Sequence, residues 1–494
     1  MDRATPPAGI TDDEWAATPA TVRELVRGLQ AQIAQLEERV RAVEERARQT
    51  SRTTSRPPSS DPPSMPPRLP RRSMGRPSGG QPGHEGHGRV LLPPEQVTRI
   101  VEVKPEACAQ CGAALQGEDP HPARHQVAEV PPVTPEVTEY RQHCLTCAGC
   151  GAQTRAPWPH EMAPGGFGPR VQATVGYLTG RLGVSQRDVA ELLQTLYGLE
   201  ISLGSITALE QGVSAAVAEP VAAAQAYVRE QPVVNMDETG WHEATQRRWV
   251  WTAVTPLVTL FAVLATRGRA GAQTLVGPDY GGIVGSDRWS AYTWVDPSRR
   301  QLCWAHLRRD FAAFVERGGS SAQIGQALLD VSEQMFTLWD RVRAGTLSRA
   351  AFVQFLPPLQ TRVRVLLQVG TAVEHPTTRR TCANILKLET ALWTFGTVPG
   401  VEPTNNAAER ALRRVVVWRR RSFGTQSPEG SQCVARLLTV VTTLRQQHRA
   451  VLDYLTAACA AALTGAPAPS LLPPARAPAS VPRSLVTPAP ASAA

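Results

Sequence analysis

Three carboxylates stand in settings that suit joint chemistry. Asp237 lies in Val233-Val-Asn-Met-Asp-Glu-Thr-Gly-Trp241, Asp287 in Ile283-Val-Gly-Ser-Asp-Arg-Trp-Ser-Ala-Tyr292, and Glu409 in Thr404-Asn-Asn-Ala-Ala-Glu-Arg410. The first two each follow a short β-branched run that reads as a strand, Val233-Val234 and Ile283-Val284. The third sits in an Ala- and Leu-rich stretch that favours a helix. Carboxylates at the ends of two strands and on one helix can converge on a pair of divalent cations. Such hard oxygen ligands suit Mg²⁺ or Mn²⁺, which activate a nucleophile and stabilise the leaving oxygen in phosphodiester chemistry. Three unrelated surface acids are the competing reading, since the chain has 43 Asp and Glu residues; agreement of the three contexts favours a joint site.

The surrounding motifs carry a resemblance. Met236-Asp-Glu-Thr-Gly-Trp241, Ser286-Asp-Arg-Trp-Ser-Ala-Tyr292, Cys303-Trp-Ala-His306 with Arg308-Arg-Asp-Phe311, and Thr404-Asn-Asn-Ala-Ala-Glu-Arg410 follow one another in order, preceded by Arg56-Pro-Pro-Ser-Ser-Asp61 and Gly79-Gly-Gln-Pro-Gly-His-Glu-Gly-His87. From about residue 20 to about residue 460 the chain resembles a DDE transposase of the bacterial insertion-sequence family IS66, the large catalytic protein of such elements. That resemblance implies metal-dependent DNA cleavage at element ends and strand transfer into target DNA, with Asp237, Asp287 and Glu409 as catalytic metal ligands. It also implies smaller accessory proteins from the same element. Two rivals are a nuclease or resolvase on the same fold without strand transfer, and a DNA-binding protein with a silent site. The intact acid triad counts against the second.

The expected architecture is multidomain α+β. A ribonuclease-H-like α/β catalytic core is placed at 231–425, with strands at 232–237, 248–254, 257–264 and 282–286. Asp287 lies 50 residues after Asp237, and Glu409 a further 122 on, too far for a minimal core. The difference predicts a helical insertion at about 318–398, where Ile324, Leu328, Val331, Met335, Leu338 and Val342 step by four and three. Leu366 and the segment 381–395 add further helices, and C-terminal helices follow at 426–464.

Residues near the acids have two readings each. Glu238 adjoins Asp237 but should face the other side of its strand. Asn405 and Asn406 suit capping of the Glu409 helix. His306 suits holding a scissile phosphate or moving a proton, and equally a place in the core. Trp241, Trp289 and Trp304 suit stacking on an unpaired base, although packing is the better expectation for tryptophans in a strand-rich core. Arg410, Arg413 and Arg414 share a helix face one turn from Glu409 and suit the phosphates flanking a cleaved bond; Arg419, Arg420 and Arg421 extend the run. A solvated basic face is the alternative.

Upstream, a zinc-binding segment is expected at 93–160. Cys108-x-x-Cys111 and Cys144-x-x-Cys147 form two knuckles whose four thiolates can surround Zn²⁺, with Cys150 or His143 as a replacement ligand. Cys303, Cys382, Cys433 and Cys459 are scattered and read as core residues. At 20–49, Val22, Val26, Leu29, Ile33, Leu36, Val40, Val43 and Ala47 step by four and three, a heptad with β-branched a positions. That pattern predicts a parallel two-stranded coiled coil and a homo-oligomer, with Arg39 and Glu44 able to pair between chains; intramolecular packing of the stripe is the alternative. Residues 50–92 form a Pro/Arg-rich linker whose Arg68, Arg71, Arg72 and Arg76 suit the DNA backbone, and whose His84 and His87 suit an ordered turn better than a metal. At 161–230 a helical, helix-turn-helix-like DNA-binding domain is expected, Ser185 starting one helix and Ser205 and Thr207 lying on the next. The absence of Arg and Lys from that second helix fits plain scaffold equally well. An Ala/Pro-rich tail from Gly465 to Ala494 reads as disordered.

Composition agrees with DNA as partner. The net charge of +9 suits a polyanion but also fits a solvated basic surface, and 494 residues suit two to four folded units. Residues 249–266 carry no charge until Arg267, but Pro256 and the alternation around it fit two buried antiparallel strands better than a membrane span. With no apolar core near Met1, the expected location is the bacterial cytoplasm, at the nucleoid.

Overall fold

The computed structural model describes residues 9–48, 90–160, 162–163 and 165–472. The linker's arginines and histidines lie outside these residues. The chain divides into two compact units, one of residues 62–138 and 193–199, the other of residues 1–61, 139–192 and 200–494.

The larger unit begins with two helices, α1 (Asp12–Ala17) and α2 (Ala20–Arg48). Thr11 and Glu14 form a capping box on α1, and Trp15 is buried. Along α2, Leu29, Ile33, Leu36 and Val40 each leave 50–56% of their surface to solvent. Such a seam is stabilised by burial against a second copy. A fragment of residues 15–50 is therefore expected to sediment as a dimer, and Leu29→Lys with Leu36→Lys to give monomers by burying charge in the seam. A wild-type fragment that stays monomeric at high concentration would assign the seam to another role.

A short hairpin follows, β1 (Cys144–Thr146) and β2 (Gln153–Arg155), and then helices α3 (Pro169–Tyr177), α4 (Gln186–Tyr197), α5 (Leu203–Ala216) and α6 (Ala218–Arg229). A wider π-turn over Leu178–Leu182 closes α3. Ser202 caps α5 by accepting from the Ser205 amide, and Ile206 and Val213 are buried. Ser205 and Thr207 are both engaged locally: the Ser205 hydroxyl with Ser202 at 2.9 Å, and Thr207 with the Leu203 carbonyl at 3.1 Å.

The central sheet holds β3 (Val233–Glu243), β4 (Gln246–Val254), β5 (Thr259–Leu264), β6 (Ile283–Ser286) and β7 (Arg300–Leu302), in the order β5-β4-β3-β6-β7. The pairs β3/β4 and β4/β5 are antiparallel, whereas β3/β6 and β6/β7 are parallel. Helix α7 (Arg269–Val276) joins β5 to β6. After β7 come α8 (Trp304–Glu316), α9 (Gly319–Arg343), α10 (Arg349–Gly370), α11 (Pro376–Leu386), α12 (Thr394–Thr397), α13 (Asn406–Ser422), α14 (Pro428–Gln446) and α15 (Val451–Thr464).

Strand alternation sorts the core. Val234, Met236, Trp251 and Ala253 pack with Ala272 and Leu275 of α7, whereas Trp241, Val250 and Phe261 pack with Leu412 and Val415 of α13 and Leu438 of α14. Helices α8 to α11 form a third cluster around Phe311, Leu328, Met335, Phe352 and Leu367. Buried Ile324, Leu328, Val331 and Met335 follow the periodicity visible in the sequence. Pro357 and Pro358 lie inside α10 on its exposed side, where carbonyls deprived of their helical donors can meet water. Sheet edge β5 is covered by α14, whose Thr443 and Thr439 hydroxyls accept from the Thr259 and Phe261 amides at 3.1 and 3.0 Å.

Among the described residues no helix is long and apolar enough to cross a membrane, and the uncharged 249–264 stretch forms β4 and β5 around a turn. The tail expectation needs correction at its start. Leu471 is 1% exposed, and Arg449 donates to the Ser470 and Leu471 carbonyls, so the described residues just past Gly465 are packed, held by burial of a leucine. Residues 473–494 lie outside the described residues.

Candidate active site

Strand β3 presents Asp237 toward the α13 side of the sheet, since Asp237 pairs with Thr252 and alternates with Met236 and Glu238. In the parallel pair, Val233, Val234 and Asn235 lie opposite Ile283, Val284 and Gly285, an offset of 50 residues. Asp237 and Asp287 are separated by that same number, so the register continued by two positions brings them together, and Asp237 feels the Asp287 charge. Gly285 permits this approach: a Cβ there would collide with Oδ1 of Asn235.

Arg300, 1% exposed, fixes the loop after β6. Its Nε donates to Ser286 Oγ at 3.1 Å and its Nη2 to the Asp287 carbonyl at 2.6 Å. Burial lowers its pKa to about 10. Asp287 Oδ1 also accepts the Trp289 amide at 2.9 Å. Nothing in the sequence around Arg300 singled it out.

Helix α13 brings Glu409 in its first turn. Asn405 occupies the N-cap position but makes no side-chain cap; its Nδ2 donates instead to the Met236 carbonyl at 3.2 Å, tying α13 to the strand beside Asp237. The capping expectation for Asn405 fails because its backbone, at φ −90° and ψ 25°, lacks the extended geometry a capping side chain needs. Glu409 meets α8 through His306, whose Nδ1 lies 3.4 Å from Oε1, and through Arg309, whose Nη2 lies 3.7 Å from Oε2.

The acids sense one another. Burial first, then the charges of Glu238, Asp287 and Glu409, raise the Asp237 carboxyl well above the ordinary aspartate range. Glu409 Oε1, His306 Nδ1 and Asn405 Oδ1 are buried and make no hydrogen bond among the described residues. Crowded carboxylates with an orphaned oxygen fit a divalent cation, and the Asp–Asp–Glu oxygens suit Mg²⁺ or Mn²⁺. Cys303 Sγ, His306 and Glu409 also have ligand atoms within 4.8 Å of one another, but burial pushes the Cys303 thiol up to about 12, and a neutral thiol is a poor ligand for a hard cation.

The raised Asp237 pKa has a consequence for stability. The folded state holds this proton at a pH where the unfolded chain has released it, so this group's contribution falls as pH rises between the two values. Millimolar Mg²⁺ is expected to offset the loss, raising Tm by roughly 2–4 °C at pH 8 and little at pH 5. Scanning fluorimetry checks this: Asp237→Asn should lose the pH-dependent part, and a gain equal at both pH values would contradict it.

Glu238 faces the other side. Arg267 Nε lies 2.9 Å from its Oε1, and the Tyr292 hydroxyl donates to Oε2 at 3.1 Å. Burial, then the Asp287 charge, raises its pKa to about 7 against the pull of Arg267 and Tyr292. Trp241 and Trp304 are fully buried, donating to Thr425 Oγ1 and the Leu392 carbonyl; Trp289 is 37% exposed. On α13, Arg410 and Arg413 are exposed, as are Arg420 and Arg421. Arg414 differs from its expected place in that basic face, because it is half-buried and donates to the Arg181 carbonyl at 2.9 Å. Arg419 likewise holds the Gly240 carbonyl and Thr239.

The two cysteine loops are each built alike. In one, the Cys108 amide donates to the Ala113 carbonyl at 2.8 Å and the Gly112 amide to the Cys108 carbonyl at 2.9 Å; in the other, Cys147 with Ala152 and Gly151 with Cys147 repeat both bonds at 2.8 Å. Gly112 and Gly151 adopt φ of 73° and 74°. Backbone amides lower the Cys108 and Cys147 thiol pKa values, those of Cys111 and Gln110 in the first loop and of Gly149 and Cys150 in the second. Cys144 instead lies in β1 opposite Arg155. The repeated Cys-Ala-x-Cys-Gly-Ala at 108–113 and 147–152 is the sequence signal for this match.

Residues 6–90 match a family of unknown function, DUF6444. Over 391 residues, 70% of this chain and 69% of the other, the chain is 25% identical to the uncharacterized protein y4hP of Sinorhizobium fredii (strain NBRC 101917 / NGR234). Residues 165–433, which include all three acids, match the model of the transposase IS66 family. With more than half of its length matched, the chain belongs to the IS66 family of transposases.

Proposed function

We propose that the chain cuts DNA at insertion-sequence ends and joins the freed ends to target DNA, on a ribonuclease-H-like core at 231–425 with its helical insertion at about 318–398. The observation that carries this reading is the β3/β6 register, which sets Asp237 beside Asp287, with Glu409 close enough to raise the Asp237 pKa. Asp237, Asp287 and Glu409 would hold Mg²⁺ or Mn²⁺, which supplies charge stabilisation for the attacking and leaving oxygens. In the first step water attacks phosphorus and the 3′-oxygen leaves. In the second, that 3′-hydroxyl attacks a target phosphodiester, whose own 3′-oxygen leaves. No protein nucleophile is required.

The neighbours divide the remaining work. His306, whose Nδ1 faces Glu409, would hold a phosphate oxygen or carry a proton. Exposed Arg410 and Arg413 suit the flanking phosphates, whereas Arg414 serves to anchor α13. Arg300 and Asn405 are positioning residues for Asp287 and for α13. The N-terminal coil would join copies of the chain, and the protein would act on the DNA of the bacterial nucleoid, with accessory proteins of the same element as further partners. The cysteine spacing supports a structural Zn²⁺, with Cys108 and Cys111 as one pair. The matched loop geometry favours Cys147 and Cys150 as the other pair, in place of Cys144 and Cys147.

Incubation of the full-length protein with element-end DNA, target plasmid and Mg²⁺ tests the reading. Joined products are expected. Cut ends without joining would reassign the chain to nuclease or resolvase chemistry, and binding without cleavage would leave only a DNA-binding role.

A further inference from the structure

A ladder of alternating cations and indoles runs along the Glu238 side of the site. The Arg247 and Arg267 guanidinium groups lie 4.7 and 4.9 Å from the centroid of the Trp249 ring, and that of Arg267 lies 4.0 Å from the centroid of Trp289. Arg267 is held by the carboxylate of Glu238 at 2.9 Å, and its own carbonyl accepts Trp289 Nε1 at 3.2 Å. The Trp289 ring is held through Nε1 by the Arg267 carbonyl, and the Trp289 backbone amide donates to Asp287 Oδ1. One face carries a guanidinium, yet the residue remains 37% exposed. Trp241 and Trp304, in comparison, are buried and make ordinary core contacts.

We propose that Trp289 is the open end of this stack and receives an unpaired nucleobase of the DNA strand whose phosphate lies at Asp287. Indole and base are flat π-surfaces, and stacking tolerates any base, so the ring would grip a frayed or displaced nucleotide without reading its sequence. A guanidinium against the far face strengthens the platform and adds positive charge beside a polyanion. Its position two residues from Asp287 couples base capture to placement of the phosphate. The inference rests on the transposition reading for its location, and on the ladder for its chemistry.

The test uses the full-length protein and a DNA duplex with a short single-stranded extension carrying 2-aminopurine, whose fluorescence is quenched by stacking. Wild type is expected to quench the probe and to prefer the extended duplex over a blunt one. Trp289→Ala should lose the quenching and weaken binding of the extended duplex roughly ten-fold, with blunt-duplex binding nearly unchanged. Trp289→Phe keeps a flat ring without the Nε1 bond and should retain most of both signals. Equal quenching by wild type and Trp289→Ala would overturn the proposal, as would a Phe variant as defective as Ala. Asp237→Ala should quench like wild type; if wild type quenches but neither cuts nor joins element ends, the transposition reading fails and the stacking site stands.

Discussion

Asp237→Ala, Asp287→Ala and Glu409→Ala should each lower cleavage and joining of element ends by on the order of 10³-fold or more. Binding of the same ends should change little, because it rests on phosphate contacts from basic surfaces that these substitutions leave in place. The losses should be similar and non-additive in double variants, as expected of carboxylates that act as one site, where removing one already disables it. Gel assays of cleavage and joining, with a binding assay alongside, check this. Glu238→Gln should be milder, because its carboxylate serves Arg267 and Tyr292 on the opposite side of β3. Substantial joining by Glu409→Ala in Mg²⁺ would remove Glu409 from the site. Its nearest substitutes in sequence are already occupied: Glu389 pairs with Arg364 at 2.6 Å, and Glu402 accepts from Trp339 at 3.2 Å.

Loss of zinc is the second large effect expected. Purified protein should carry about one Zn²⁺ per chain, a structural site of this kind contributing on the order of 10 kcal/mol to order its segment. Cys147→Ser and Cys150→Ser should each abolish that content, as should Cys108→Ser, because a tetrahedral site does not survive loss of a thiolate. Cys144→Ser should leave the metal in place, since Cys144 sits in β1, outside the repeated Cys-Ala-x-Cys-Gly-Ala loops. Metal analysis and limited proteolysis between residues 95 and 155 provide the readouts. Zinc lost on Cys144→Ser and kept on Cys150→Ser would assign the second pair to Cys144 and Cys147. Metal-free wild type resisting the protease would remove zinc from the account.

The sequence by itself determined what depends on near neighbours. The apolar steps of α9, the alternation of β4 and β5 about Pro256, and the heptad of α2 are periodicities of 3.6, 2 and 3.5 residues, and each can be read without knowing what lies opposite. The acids were legible for the same reason, each in its own short motif. Tertiary structure alone decided what depends on pairing across long separations. The 50-residue register that sets Asp237 beside Asp287 is a property of two strands, not of either. Arg300 becomes a support for Asp287 only once β7 lies beside β6, and Asn405 reaches the Met236 carbonyl only once α13 crosses β3. Arg414 reads as one more basic residue until the Arg181 carbonyl is brought to it, and Trp289 is separated from Trp241 and Trp304 only by burial. A side chain's type limits the chemistry it can do, but its role is set by which groups remain unpaired around it, and that is fixed only when the sheet and helices close.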